Sequence, residues 1–315
     1  MARDKLAEIA AKRARGEGLG YWRGNTEIEV LESQWRGGEG PLQIPPLFIP
    51  IRLVTILEVF TREWVAEIID SGEPYMSRAA NIVKGSLKID FALAQALVGK
   101  QVTFGELVAH DIPVNGIGDI DRVFSQLLNE PLFEHLDGIV DRWAITIRGE
   151  AALPVMPDPR GTRSKLARLF EDRHIIVHEL PDDYSSATAS LADYLRATSV
   201  FLNAASQAFG TLLHGDSPLT QTGMNIEAAE KAKAAEDGLA AVLARLDPQK
   251  SEEALWAGQA AWEEYRRFHA EFRSGVKHTG HGSIAPMLYS LEIEAITRQR
   301  IEQLEWYLNR REKDL

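Results

Sequence analysis

One short segment, Arg173-His174-Ile175-Ile176-Val177-His178, gathers the side chains best suited to moving protons beside a phosphate. The chain has 8 histidines, and two of them stand four residues apart here. On a helix that spacing puts both rings on one face. Imidazole exchanges protons near neutral pH. The guanidinium of Arg173 stays charged and suits a phosphate or a phosphorane-like transition state. Glu171, Asp172 and Glu179 add carboxylates within about two turns. We expect Arg173, His174 and His178 to form a functional site.

Two other roles compete for the same residues. His-x-x-x-His is the spacing of helix-borne zinc ligands, but the zincin pattern needs a glutamate after the first histidine. Ile175 stands there, and no third ligand is evident, so no metal and no cofactor is assigned. A core role would bury two imidazoles and a guanidinium around Ile175, Ile176 and Val177, which costs desolvation without an evident return.

The segment must be carried by a helix, and the surrounding pattern supplies one. Leu166, Leu169, Phe170, Ile176 and Val177 give an apolar side to a helix over 163–178, after a proline-rich loop at 150–161. Leu53, Ile56, Leu57, Phe60, Trp64 and Ile68 predict a long helix over 47–70, closed by Gly72 and Pro74. Further helical stretches are expected at 1–16, 76–98 and 119–136. A long one is expected from Ser185 and Ser186, as caps, to about His214. Residues 17–46 are glycine-rich with little period, and Glu27-Ile28-Glu29-Val30-Leu31 reads as a strand. After Gly215 composition shifts to Ala, Glu, Arg and Leu, with helices near 226–246, 251–274 and 285–311. The fold class is all-α, with room for one short hairpin near the N-terminus. The expected division is an N-terminal helix and Gly-rich extension at 1–44, a helical domain at 45–215, a linker at 216–223, and a small helical hairpin or three-helix domain at 224–315.

Composition narrows the function classes. Apolar content of 45% and charged content of 26% are ordinary globular values. There is no cysteine, so disulfides, thiolate zinc sites and cysteine nucleophiles are excluded. The N-terminus lacks an apolar h-region, and the longest apolar stretch, 47–57, is too short to span a bilayer. A cytoplasmic protein without a membrane partner is expected. A formal net charge of −11 argues against strong non-specific binding to nucleic acid. A local basic stripe would be needed for RNA, and Arg160, Arg163, Lys165 and Arg168 precede Arg173 within a few turns.

Arg-x4-His at a helix end, with a polar residue after the arginine, resembles the HEPN family of all-helical domains. The resemblance spans about residues 45–215 and includes the long helix at 47–70 and the long helix after Pro181. It implies a metal-independent endoribonuclease in which the ribose 2′-OH attacks the adjacent phosphate. Arg173 would hold the scissile phosphate, His178 would be the acid–base residue, and His174 would orient either partner. It further implies a homodimer with two motifs facing one cleft, and a role as a toxin or phage-defence effector. Some members of the family bind nucleotide, RNA or protein without catalysis, which is the alternative.

A second resemblance lies in the last third. Gln259 to Arg266, Gly282 to Tyr289 and Thr297 to Arg300 look like the LprI-type lysozyme-inhibitor domain. Exported members carry two cysteines, and the aligned positions here are Ala270 and Glu292. Trp262 and Leu288 are expected in its core, Gly282 in a turn, and Arg266, Arg298 and Arg300 in salt bridges. His278 and His281 offer a weak metal pair. The module would recognise a partner, such as an antitoxin or trigger protein.

Overall fold

The computed structural model describes residues 5–15, 20–36, 45–83, 91–99, 101–179, 183–247, 252–275 and 282–309. The chain divides into two compact units, Met1–Gly215 and Asp216–Leu315. The fold is all-α. Among the described residues there is no strand, and only Val140 and Pro154 make an isolated antiparallel bridge. No described helix is long and apolar enough to cross a membrane.

The first unit runs α1 (Lys5–Arg15), α2 (Gly20–Arg36), α3 (Phe48–Asp70), α4 (Tyr75–Arg78), α5 (Phe91–Val98), α6 (Phe104–Asp111), α7 (Ile117–Leu128), α8 (Leu132–His135), α9 (Arg142–Arg148), α10 (Pro159–His178), α11 (Ser185–Ala189) and α12 (Leu191–His214). Helix α3 is its centre. Leu53, Leu57, Phe60, Trp64 and Ile68 recur at three and four and are all buried. An aromatic chain extends from them. Phe60 meets Phe201 with ring centroids 6.2 Å apart, and Trp64 meets Phe209 at 5.4 Å. Phe209 in turn meets Phe124 at 4.6 Å. These edge-to-face and tilted contacts lock α3, α7 and α12 together, and Leu166, Leu169 and Phe170 of α10 join the same core.

Several expected boundaries change for identifiable reasons. The stretch read as a strand, Glu27–Leu31, is part of α2: Ile28 and Leu31 are buried three apart, and Val30 faces solvent. The glycine content that masked this helix has a packing cause. A Cβ on Gly24 would lie 3.2 Å from Ile56 and 3.3 Å from Leu202, so α2 sits close against α3 and α12. The stretch 119–136 is two helices, because Asn129 ends α7 in a left-handed conformation and Pro131 follows. Helix α9 had no counterpart in the sequence reading. The helix expected from Ser185 breaks at Ser190, between α11 and α12.

The second unit has α13 (Gln221–Leu246), α14 (Glu253–Ser274) and α15 (Ala285–Asn309). Thr220 accepts the amide of Gly223 at 3.0 Å and so caps α13 inside the stretch read as a linker. Leu239, Val242, Leu243 and Leu304 form one core cluster, and Ala232, Ala270 and Ile293 another. Asp247 is buried and takes the amide of Glu252 and the indole N–H of Trp256, each at 2.8 Å. One carboxylate thereby ties the end of α13 to the start of α14.

Helix α6 meets α3 so closely that a Cβ on Gly105 would lie 2.2 Å from the carbonyl oxygen of Ala66. The Gly105 amide also donates to Asp70 at 2.8 Å. We predict that Gly105→Ala destabilises the protein by about 1–3 kcal/mol, seen as an earlier urea unfolding midpoint. An unchanged midpoint would mean that α6 can move away without loss.

Candidate functional site

Helix α10 carries the site. Asp158 caps it, its carboxylate accepting the amide of Gly161 at 2.9 Å, and Pro159 occupies the first turn, where a missing N–H costs nothing. The helix therefore starts four residues before the expected Arg163. Its far end is fixed by a buried polar contact. Tyr194, 1% exposed, donates its hydroxyl to Asp172, 9% exposed. Burial, and next the bond to Asp172, push the Tyr194 hydroxyl up to about 12.

That contact sets the phase of the last turns. Successive helical residues rotate by about 100°. With Asp172 inward, His174 and His178 fall on the opposite side, and both are exposed. Their ring centroids are 4.9 Å apart and their planes are tilted by 47°. Arg173 lies at the flank and is half-buried, and its Nε is buried without a hydrogen-bond partner among the described residues. Five residues of helix turn through about 140° net. Arg173 and His178 of one chain therefore point to different sides of α10.

An open groove of about 540 Å³ runs beside the helix end. Glu171, His174 and Glu179 line it from α10 and its C-terminal edge, and Asn115 to Gly118 line it from the start of α7. Phe170 and Ile175 give it an apolar floor. Asp119 accepts the amide of Asn115 at 3.0 Å, so one carboxylate already occupies this helix start. Arg173 and His178 do not line the groove.

The preceding cations are close in sequence but spread around the helix. Arg163 pairs with Asp121 of α7 at 3.2 Å and lies 5.9 Å from the Phe133 ring. Lys165 pairs with Asp193 of α12 at 2.9 Å. These two lie about 160° apart around the axis. Arg160 and Arg168 are exposed. The structure does not bring the four together on one face. No group of three or more His, Asp or Glu side chains is gathered as metal ligands among the described residues. The sequence reading missed Tyr194 and the Asn115–Gly118 wall. A tyrosine within the apolar stripe of α12 was a signal that some polar group waits opposite, but not which.

In the second unit Trp262 is half-buried, with the guanidiniums of Arg266 and Arg300 at 5.1 and 5.8 Å from its ring. Leu288 is also half-buried rather than fully in the core. Arg266 bonds Thr297 and Glu236, each at 3.0 Å, and so crosses from α14 to α15 and α13. Arg298 pairs within α15, with Glu294 at 2.9 Å. Arg300 bonds neutral side chains, Gln259 at 3.3 Å and Gln303 at 2.6 Å. Burial lowers the pKa of Arg300 from its ordinary value. Gly282 adopts a positive φ of 51°, as a turn residue should. Ala270 is fully buried, and Glu292 pairs with Arg273 at 3.3 Å and His269 at 3.8 Å. An ionic tie thus joins α14 to α15. His278 and His281 lie outside the described residues.

Comparison with known proteins bears on this second unit. The family model described as Lysozyme inhibitor LprI matches residues 215–304. No HEPN family model matches the chain. No curated protein and no solved structure matches it. Residues 215–304 thus form an LprI-like domain.

The Tyr194–Asp172 contact yields a prediction with a sign. A hydroxyl whose folded pKa lies above the unfolded value near 10 contributes stability below pH 10 and loses it as pH rises through about 12. Tyr194→Phe should cost about 1–3 kcal/mol at neutral pH, because Asp172 loses its donor. The gap between wild type and variant should narrow above pH 10 in urea unfolding. A gap that stays constant with pH would contradict the assignment.

Proposed function

We propose that the Met1–Gly215 unit is a metal-independent endoribonuclease of HEPN type, acting as a toxin or phage-defence effector. The observation that carries this reading is the exposed His174–His178 pair at the end of α10, with an always-charged guanidinium at the same helix end. The reaction needs a base for the ribose 2′-OH, an acid for the leaving 5′-oxygen, and a cation for the phosphate. His178 moves protons, His174 orients it from 4.9 Å away, and Arg173 takes the phosphate. Because Arg173 and His178 diverge around one helix, the working site combines residues of two copies, so the active form is a homodimer. Arg160 and Arg168, both exposed, track the RNA backbone, and Arg163 and Lys165 exchange their carboxylates for phosphate. The LprI-like unit serves as the docking site for an antitoxin or trigger protein.

A second reading has its own support. Glu171 and Glu179 line the groove, and Arg163 and Lys165 are already paired with carboxylates. That charge balance suits a module that binds a nucleotide, RNA or a partner without cutting it.

The readings separate in one assay. Purified protein should cleave RNA in EDTA and leave a 2′,3′-cyclic phosphate, and Arg173→Ala and His178→Ala should each abolish cleavage. Full cleavage by both variants would sink the ribonuclease reading. Absence of turnover, with an RNA-induced rise in melting temperature that depends on Arg173, would select the binding reading.

A further inference from the structure

We propose that His174 and His178 form an exchangeable two-point clamp for a divalent transition-metal ion, and that an ion held there switches the site off. The pair has the geometry of helix-borne metal ligands: it sits four residues apart, on one outward face, with ring centroids 4.9 Å apart. Both rings are exposed, so each can turn a nitrogen toward a common ion without disturbing the core. Glu171 and Glu179 are exposed beside them and raise the local concentration of cations. Neutral imidazole selects zinc, copper or nickel, whereas magnesium and calcium prefer oxygen.

Two ligands fall short of the three or four that hold a resident zinc ion. No third His, Asp or Glu completes such a group among the described residues. With these two rings as its protein ligands, the ion would take water in its remaining positions and exchange with the medium. While bound, it occupies the imidazole lone pairs that would otherwise accept protons. The switching part rests on the ribonuclease reading above; the clamp does not.

The test is calorimetric titration of the full chain with zinc chloride. Wild type and the His278→Ala/His281→Ala double variant should bind with the same affinity. His174→Ala and His178→Ala should each bind about tenfold more weakly, or worse. Their melting temperatures should not change, because both rings are exposed. Undiminished zinc binding in either of these single variants overturns the clamp. In the cleavage assay zinc should slow the wild-type chain in step with occupancy, EDTA should restore it, and magnesium should have no effect. Zinc that binds but leaves cleavage unchanged, or speeds it, overturns the switch. The isotherm needs no turnover, so a chain that cuts no RNA sinks the ribonuclease reading without touching the clamp.

Discussion

The buried hydrogen bond from Tyr194 to Asp172 decides how the end of α10 presents itself. A carboxylate withdrawn from water without a partner costs several kcal/mol, on the order of the stability of a small domain. With its donor in place, it becomes a peg that allows one rotation of the helix. Once Asp172 faces α12, the other positions follow from helical geometry alone. His174 and His178 must face out together, Val177 is exposed, Ile175 and Ile176 are half-covered, and Arg173 is caught at the edge. The aromatic chain through Phe60, Phe201, Phe209 and Phe124 fixes α12 itself, so the peg has a rigid seat.

This rotation has a chemical consequence. A guanidinium and an imidazole five residues apart leave a straight helix about 140° from one another. The same helix does hold two imidazoles on one side, close enough to act on one atom between them. In the proposed dimer, two copies related by a two-fold axis would bring Arg173 of one α10 toward His178 of the other. Two arginines brought to one cleft repel, and a polyanion between them relieves that cost. The acidic net charge of the chain and the carboxylates along the groove work in the other direction. Entry of RNA would then depend on exposed cations rather than on the field of the whole protein.

How much of this was legible beforehand varied by element. The all-α class, the long α3 and the end of α10 were readable, because runs at three and four are strong signals over twenty residues. The helix α2 was not, because the glycines of 17–46 blur its period, whereas Gly24 serves close approach to Ile56 and Leu202. The basic stripe was readable as a list of residues but not as a surface. Spacings of two, three and five between Arg163, Lys165, Arg168 and Arg173 spread charge around a helix, and the partners of Arg163 and Lys165 are distant in sequence. Arg173, His174 and His178 stand out as candidates by type and spacing alone. Their divergence could have been computed from the helical repeat, but the inward turn of Asp172 needed the position of Tyr194. In the second unit the pattern of residues suggested the LprI-like domain, and the tie between Arg273, His269 and Glu292 emerged only with the helices in place.

The most direct measurement of the composite site is complementation between inactive chains. Arg173→Ala and His178→Ala proteins, each without cleavage alone, would be mixed, exchanged and assayed on RNA in EDTA. If the site joins Arg173 of one copy to His178 of the other, mixed dimers hold one intact pair, and activity should recover to roughly a quarter of wild type. A mixture as inactive as either protein alone, beside an active wild type, would contradict the account.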